Sequence, residues 1–106
     1  MVKEINSQEL KSRLAANEEI HLMDIRSDAE VVGGMLPSSI HLPMHLIPLK
    51  ISEFSPEKEI VLYCRSGARS YHACQYLMQQ GYDNVINLRG GIIDWARQGF
   101  SIVANG

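Results

Sequence analysis

The stretch IVLYCRSGARSYHAC, residues 60–74, decides the architecture of this 106-residue chain. Its first four residues are apolar, and two of them are β-branched, which predicts a strand of a parallel sheet buried on both faces. The strand ends at Cys64, five mostly small or polar residues follow, and a helical pattern runs from Ser70 to about Gln80. A cysteine between such a strand and helix lies at the edge where open α/β sheets bind ligands.

The residues around Cys64 predict an ionised, nucleophilic sulfur. The turn into the helix directs backbone N–H groups and the positive end of the helix dipole toward the sulfur. Arg65 and Arg69 add two positive charges. All of these favour a thiolate over a thiol and would attract an anion. The alternative is a buried core thiol, which is common for cysteine, but a core position is not expected to be followed by small, polar and arginine residues.

Composition and length exclude several classes of protein. The chain has 45% hydrophobic residues and a net charge of −2, so we expect a single domain over residues 1–106 and no nucleic-acid partner. No apolar stretch is long enough to cross a bilayer, and no membrane partner is expected. Two cysteines and an N-terminus unlike a signal peptide predict a reducing, cytoplasmic location.

Strand-like and helix-like segments alternate along the chain, which predicts an α/β layered domain. The predicted strands are residues 2–5, 20–25, 39–42, 60–63 and 85–88. The predicted helices are residues 7–16, 28–32, 45–51 and 70–80, with a last one from 91 to near 99. Ser7 is the predicted N-cap of the first helix.

Four segments in this order resemble the rhodanese-like (sulfurtransferase) family, in particular its small single-domain members. Residues 24–30 (DIRSDAE) are similar to the family's D-x-R-x-x-x-E stretch, and residues 37–43 (PSSIHLP) to its P-x-A-x-N-I-P segment. Residues 64–69 (CRSGAR) resemble its active loop C-x-x-G-x-R, and residues 88–95 (LRGGIIDW) its L-x-G-G-x-x-x-W segment. The resemblance implies a three-layer α/β domain, in which helices flank a central, mostly parallel five-stranded sheet.

The resemblance also implies sulfur transfer. Cys64 would take sulfur from a donor such as thiosulfate, hold it as a persulfide and pass it to cyanide or to a thiol such as glutathione, thioredoxin or another protein thiol. No cofactor and no metal are expected. The predicted donor-binding residues are those of the loop: Arg65, Ser66, Gly67, Ala68 and Arg69. The predicted supporting residues are Asp24, Arg26 and Glu30. Arg69 is expected either to contact the substrate or to pair with an acid such as Glu30.

Two other functions are possible on the same fold. Cell-cycle phosphatases and arsenate reductases carry a longer loop, C-x5-R, whereas four residues separate Cys64 from Arg69 here. The shorter loop offers fewer amides and less space for a tetrahedral oxyanion, which favours sulfur chemistry. A noncatalytic sulfur-sensing, redox-sensing or protein-binding module is the other alternative. Such modules usually lack the cysteine, which is present in this chain.

Four further residues could be mistaken for site residues. Cys74 lies in the predicted helix, ten residues beyond Cys64 and too far from it for a disulfide, and we expect a core thiol. His41 and His45 have H-x3-H spacing, but Pro43 between them prevents a shared helix face, so no metal site is expected. His72 could be a base for Cys64, but no peptide cleft or oxyanion site accompanies it.

Overall fold

In a computed structural model, which describes residues 1–104, five strands form one sheet in the order β1-β5-β4-β2-β3. The strands are β1 (Lys3–Ile5), β2 (Ile20–Asp24), β3 (Ile40–His41), β4 (Glu59–Tyr63) and β5 (Val85–Leu88). The four pairings between these strands are parallel, and the central strand β4 pairs with β2 and β5. The predicted α/β fold with a five-stranded sheet is confirmed.

Five α-helices connect the strands: α1 (Ser7–Ala15), α2 (Asp28–Val31), α3 (Ile47–Lys50), α4 (Ala68–Gln79) and α5 (Gly91–Arg97). Short 3-10 turns, Met44–Leu46 and Ile51–Glu53, flank α3, so the predicted helix over residues 45–51 is not continuous. Within residues 1–104, every helix is too short or too polar to span a bilayer.

Two predicted helix starts are wrong. Asn6, not Ser7, caps α1, because its extended backbone lets the side chain accept a hydrogen bond from the Glu9 N–H at 2.8 Å. The Glu9 carboxylate in turn accepts from the Asn6 N–H at 3.0 Å, which completes a capping box. Helix α4 begins at Ala68 rather than Ser70, because Gly67 has a φ of 98° and turns the chain directly into the helix.

Helices cover both faces of the sheet, because alternate residues of a strand point to opposite sides. Ile60 and Leu62 of β4 face α3 and α4, whereas Val61 and Tyr63 face α1 and α5. On the first side they pack with Ile47, Ala73, Cys74 and Leu77, and on the second with Leu10, Leu36 and Trp95. Both faces of β4 are therefore buried, as its apolar sequence predicts.

The register of the sheet brings the ends of β2 and β4 together. Asp24, the last residue of β2, lies opposite Tyr63, the last residue of β4. The Ile25 N–H donates to the Tyr63 carbonyl at 3.0 Å and continues the pairing by one residue. Cys64 therefore emerges at the carboxyl edge of the sheet, beside the segment that follows β2.

Candidate active site

The backbone of the loop after β4 is oriented by the first residues of α5. The N–H groups of Ile92 and Ile93 donate to the carbonyls of Cys64 and Arg65 at 3.0 and 3.2 Å. A Cβ on Gly91 (φ 58°) would lie 2.5 and 2.4 Å from these two carbonyl oxygens, so only glycine allows this approach. Because C=O and N–H point in opposite directions in a trans peptide, the N–H of Ser66 points away from α5 and into the loop.

The sulfur of Cys64 accepts several hydrogen bonds from this loop. The Gly67 N–H lies 3.1 Å from Sγ, and the Ser70 hydroxyl lies 3.5 Å from it. The backbone N–H groups of Ser66 and Ser70 also contribute. Side chains and amides of the loop and the first turn of α4 therefore converge on one atom.

These hydrogen bonds favour the ionised form of Cys64. The residue is 1% exposed; burial raises the pKa of the thiol, but the hydrogen bonds from Ser70, Gly67 and Ser66 outweigh this effect and the net pKa is lowered. Arg69 adds a weaker electrostatic attraction. Cys64 is thus as buried as a core thiol, but its polar surroundings are those of an anion. The hydrogen bonds therefore lower the pKa of Cys64 more than the positive charge of Arg69 does.

Arg69 is paired with a carboxylate rather than free. Its Nη1 and Nη2 atoms lie 2.7 Å from the two oxygens of Glu30, in a bidentate ion pair between α4 and α2. The Arg69 hydrogen bonds, together with one from the Ser27 N–H, lower the pKa of Glu30 to about 2. Of the two roles expected for Arg69, the structure shows the pairing with Glu30.

A second, buried ion pair supports the segment next to the loop. Arg26 donates from Nε and Nη2 to Asp24, with the shortest contact at 2.6 Å, and the two side chains are 7% and 0% exposed. Nη2 of Arg26 also donates to the Gly34 carbonyl at 2.6 Å, beyond α2. Arg26 therefore joins the end of β2 to the turn after α2 and holds the segment that carries Glu30.

The remaining loop residues lie at the surface. Arg65, Ser66 and Ala68 are exposed, whereas Gly67 is buried. Arg65 forms no ion pair within the described residues and borders an open groove of about 360 Å³, which Ile92, Ile93, Ala96 and Ile102 also line. Of Arg65 and Arg69, Arg65 is therefore the arginine that is not paired within residues 1–104.

The sequence did not predict a role for two polar residues of this region. Ser70 and Asn87 are 0% and 1% exposed, and the Ser70 hydroxyl hydrogen-bonds to both Cys64 Sγ and Asn87 Oδ1. Asn87 Nδ2 donates to the Gly67 carbonyl at 3.1 Å. The sequence does mark Asn87, because asparagine is the single polar residue in the strand sequence VINL. A polar side chain buried in such a strand needs hydrogen-bond partners nearby.

The other candidates lie away from the site. Cys74 is buried in the core, where burial raises the pKa of its thiol to about 12, as expected of an unreactive cysteine. His72 is exposed and hydrogen-bonds to Gln75 at 3.2 Å. His41 Nε2 lies 2.7 Å from the Arg26 carbonyl.

A parallel sheet whose central strand ends at a hydrogen-bonded cysteine with a lowered pKa defines an α/β protein with a candidate nucleophile at the edge of its sheet. The sequence profile of the rhodanese-like domain matches residues 6–98, so the chain belongs to the rhodanese-like family. The chain is similar to a protein named sulfurtransferase from Allochromatium vinosum, with 60% identity over 104 residues, 98% of this chain and 97% of the relative.

Solved structures show the same fold. The crystal structure of a rhodanese-like domain protein from Staphylococcus aureus matches with a TM-score of 0.88 and 28% identity, over 99% of this chain and 100% of that one. A thiosulfate sulfurtransferase from Pseudomonas aeruginosa matches with a TM-score of 0.89 and 25% identity, over 99% of this chain but 21% of that longer one.

Proposed function

We propose that this protein is a rhodanese-type sulfurtransferase, which moves sulfane sulfur from thiosulfate or a related donor to cyanide or a thiol through a persulfide on Cys64. The observation that carries the proposal is the cluster of hydrogen bonds on the Cys64 sulfur, in particular the 3.1 Å bond from the Gly67 N–H. The names of the Allochromatium relative and of the Pseudomonas structure support the same class of reaction.

In the first step, the Cys64 thiolate attacks the outer sulfur of thiosulfate. A sulfur–sulfur bond forms to Cys64, the bond inside thiosulfate breaks, and sulfite leaves with the electron pair. In the second step, cyanide or a thiolate attacks the terminal sulfur of the persulfide and releases the Cys64 thiolate. No separate base is needed, because the surroundings of Cys64 favour its ionised form.

The loop residues have distinct roles in this proposal. The backbone N–H groups of Ser66, Gly67 and Ala68 stabilise the anionic persulfide, because donors placed in advance at a developing charge are most effective. Arg65 orients the anionic donor, since its side chain is exposed and forms no ion pair within residues 1–104. Arg69 supports the loop through Glu30, and its positive charge is largely compensated there.

Asp24, Arg26 and Glu30 act as supporting residues. None of the three lies within hydrogen-bond distance of Cys64 Sγ in the described residues, but together they hold the segment after β2 against the start of α4. We further propose that residues 1–106 form one domain that works without a cofactor in a reducing, cytoplasmic compartment. Both cysteines are free thiols, which suits such a compartment.

Phosphatase or arsenate reductase activity is the weaker candidate. The buried side of the loop holds a single sulfur, its carbonyls are bound to α5, and Arg69 is occupied by Glu30. In this proposal a tetrahedral oxyanion would need more inward-facing amides and a free arginine. The noncatalytic sensing or binding module remains the alternative should neither activity be found.

Intact mass spectrometry after incubation with thiosulfate tests the proposal. Wild-type protein and the Cys74→Ser variant should gain one sulfur atom and turn over thiosulfate and cyanide, whereas Cys64→Ser should do neither. All three proteins should show negligible hydrolysis of p-nitrophenyl phosphate. Full turnover by Cys64→Ser would contradict the mechanism, and phosphatase turnover by the wild type at a comparable rate would contradict the class of reaction. Absence of both activities in the wild type would favour the binding module.

A further inference from the structure

A chain of hydrogen bonds connects Cys64 to the outer strand β1. The Ser70 hydroxyl lies 3.5 Å from Cys64 Sγ and also hydrogen-bonds to Asn87 Oδ1 on β5. On the other side of the amide, Asn87 Nδ2 lies 2.9 Å from a carboxylate oxygen of Glu4 on β1. Ser70 and Asn87 are both buried, so water cannot readily replace these bonds.

The orientation of the Asn87 amide follows from its neighbours. Nδ2 faces the Gly67 carbonyl at 3.1 Å and the Glu4 carboxylate at 2.9 Å, and both of these groups only accept hydrogen bonds. A flipped amide would direct its oxygen at two other acceptors and its NH2 group at Ser70. The amide oxygen therefore faces Ser70, and it must receive the hydrogen bond from the Ser70 hydroxyl.

The hydroxyl of Ser70 has one proton and two acceptors. While Cys64 is a thiol, Ser70 can donate to Asn87 and accept a hydrogen bond from the S–H group. Once Cys64 is a thiolate, the sulfur needs that proton, and the oxygen of Asn87 is then left buried without a donor. Both Asn87 Oδ1 and Cys64 Sγ lie within hydrogen-bond distance of the Ser70 hydroxyl, so the two acceptors can compete for its single proton.

We propose that Asn87 is a positioning residue, which competes with Cys64 for the proton of the Ser70 hydroxyl and thereby sets the fraction of Cys64 that is ionised. The inference deepens the proposed function, because it takes Cys64 as the nucleophile. In the persulfide the negative charge moves to the terminal sulfur, so Ser70 is free to return to Asn87. Asn87 thus disfavours the free thiolate relative to both the thiol and the persulfide.

Charged and titratable groups on every element packed around Cys64 must be kept constant in a test. They include Arg65 in the loop, Arg69 on α4 with Glu30 on α2, Tyr63 on β4, the Asp24–Arg26 pair after β2, His45 beside Arg69, Arg89 and Asp94 next to the two glycines before and at the start of α5, and Glu4 on β1. Substitutions of Asn87 and Ser70 leave every one of these side chains in place.

The test is the pH dependence of iodoacetamide alkylation, measured in a Cys74→Ser background so that Cys64 is the single reacting thiol. Asn87→Leu has nearly the same shape but no acceptor, and its alkylation midpoint should fall by roughly one pH unit, the effect of one hydrogen bond to a charged group. Ser70→Ala should raise the midpoint. When Ser70→Ala is already present, Asn87→Leu should cause no further shift.

Two further variants separate this effect from a general loss of structure. Asn87→Asp, made in a Glu4→Gln background so that no second carboxylate faces the new one at 2.9 Å, keeps an acceptor toward Ser70 and adds a negative charge, so its midpoint should rise relative to Glu4→Gln alone. Asn84→Leu is the matched control, because the Asn84 amide also donates to two carbonyls, those of Ser55 and Lys58, but away from Cys64. Its midpoint should equal that of the parent protein.

The inference is wrong if Asn87→Leu leaves the midpoint unchanged or raises it, or if it shifts the midpoint equally with and without Ser70. A lower alkylation midpoint in Asn87→Asp than in Glu4→Gln alone would also contradict the inference. If Asn87→Leu does not fold, the midpoint of Asn87→Asp tests the inference in its place. Alkylation needs no sulfur donor. A protein that fails to turn over thiosulfate but shows these shifts would contradict the proposed function and not the role of Asn87.

Discussion

At the scale of single residues, the pairing of Arg69 with Glu30 changes how the site attracts an anion. Of Arg26, Arg65 and Arg69, the first is paired with Asp24 and the last with Glu30. Arg65 is therefore the one of these three that forms no ion pair within residues 1–104, and backbone N–H groups add to its attraction for an anion. A site of this kind favours a donor small enough to approach the loop amides directly.

The same ion pair makes the stability of the protein depend on pH. The folded-state pKa of Glu30 is about 2, below its unfolded value, so the pair stabilises fully above about pH 5 and its contribution is lost as pH falls toward 2. Glu30→Gln should lower the free energy of unfolding in urea at pH 7, with a difference from wild type that shrinks below about pH 4. Glu53→Gln, which removes an exposed partner of Lys50, is the control and should change little at either pH. A difference that stays constant with pH would contradict the assignment.

At the scale of elements, the contact between the loop and α5 is what turns the loop amides toward the sulfur. The carbonyls of Cys64 and Arg65 are bound by N–H groups at the start of α5, and Gly91 passes within contact distance of both. Residues 90–91 are thus part of the site, although neither touches Cys64 Sγ. Gly91, the second glycine of the last motif, is required by this close approach, whereas a Cβ on Gly90 would meet the Asp94 side chain instead.

A substitution at Gly91 should therefore damage both stability and reactivity. Gly91→Ala places a Cβ 2.4 Å from the Arg65 carbonyl oxygen, so the loop or α5 must move. We expect slower alkylation of Cys64 at pH 7 and a loss of unfolding free energy larger than the roughly 1 kcal/mol expected of a left-handed backbone alone.

Gly99→Ala is the control for this experiment, since Gly99 also has a positive φ of 82° but no neighbouring atom within 4 Å of the added Cβ. Gly99→Ala should lose only the unfolding free energy expected of a left-handed backbone, and its Cys64 should be alkylated at the wild-type rate. Equal alkylation rates for the two variants would contradict the proposed role of the contact.

At the scale of the whole molecule, the buried Asp24–Arg26 pair links the sheet to the segment that carries Glu30. Asp24 belongs to β2, while Arg26 reaches the Gly34 carbonyl beyond α2. From there the Met35 backbone pairs with Val103 near the end of the described chain. The Asp24–Arg26 ion pair therefore connects strand β2 with both α2 and the C-terminal segment.

Asp24→Asn should destabilise the whole domain, because it leaves the Arg26 charge buried with a neutral partner. We expect a loss of about 3–5 kcal/mol in unfolding free energy, measured by urea denaturation. Glu19→Gln removes the exposed partner of Lys58 and should change the midpoint little. A loss for Asp24→Asn no larger than for Glu19→Gln would show that the buried pair contributes nothing to stability.

Local sequence patterns determined the layered fold and the position of Cys64 at the end of the central strand. The apolar run at residues 60–63 requires a strand buried on both faces, and the polar turn after Cys64 requires that the cysteine end this strand. Burial of Cys74 followed from helical spacing in the same way. These inferences succeeded because each depends on residues close together in the chain.

Only the tertiary structure decided which partners the site residues have. Arg69 meets Glu30 across 39 positions, and Ser70 meets Asn87 across 17, because sheet order and strand register bring α2, α4 and β5 to one edge. The helix boundary at Gly67 and the source of the lowered Cys64 pKa likewise depend on how α5 orients the loop. Sequence periodicity encodes which face of an element is buried, but contacts between distant side chains depend on how those elements pack.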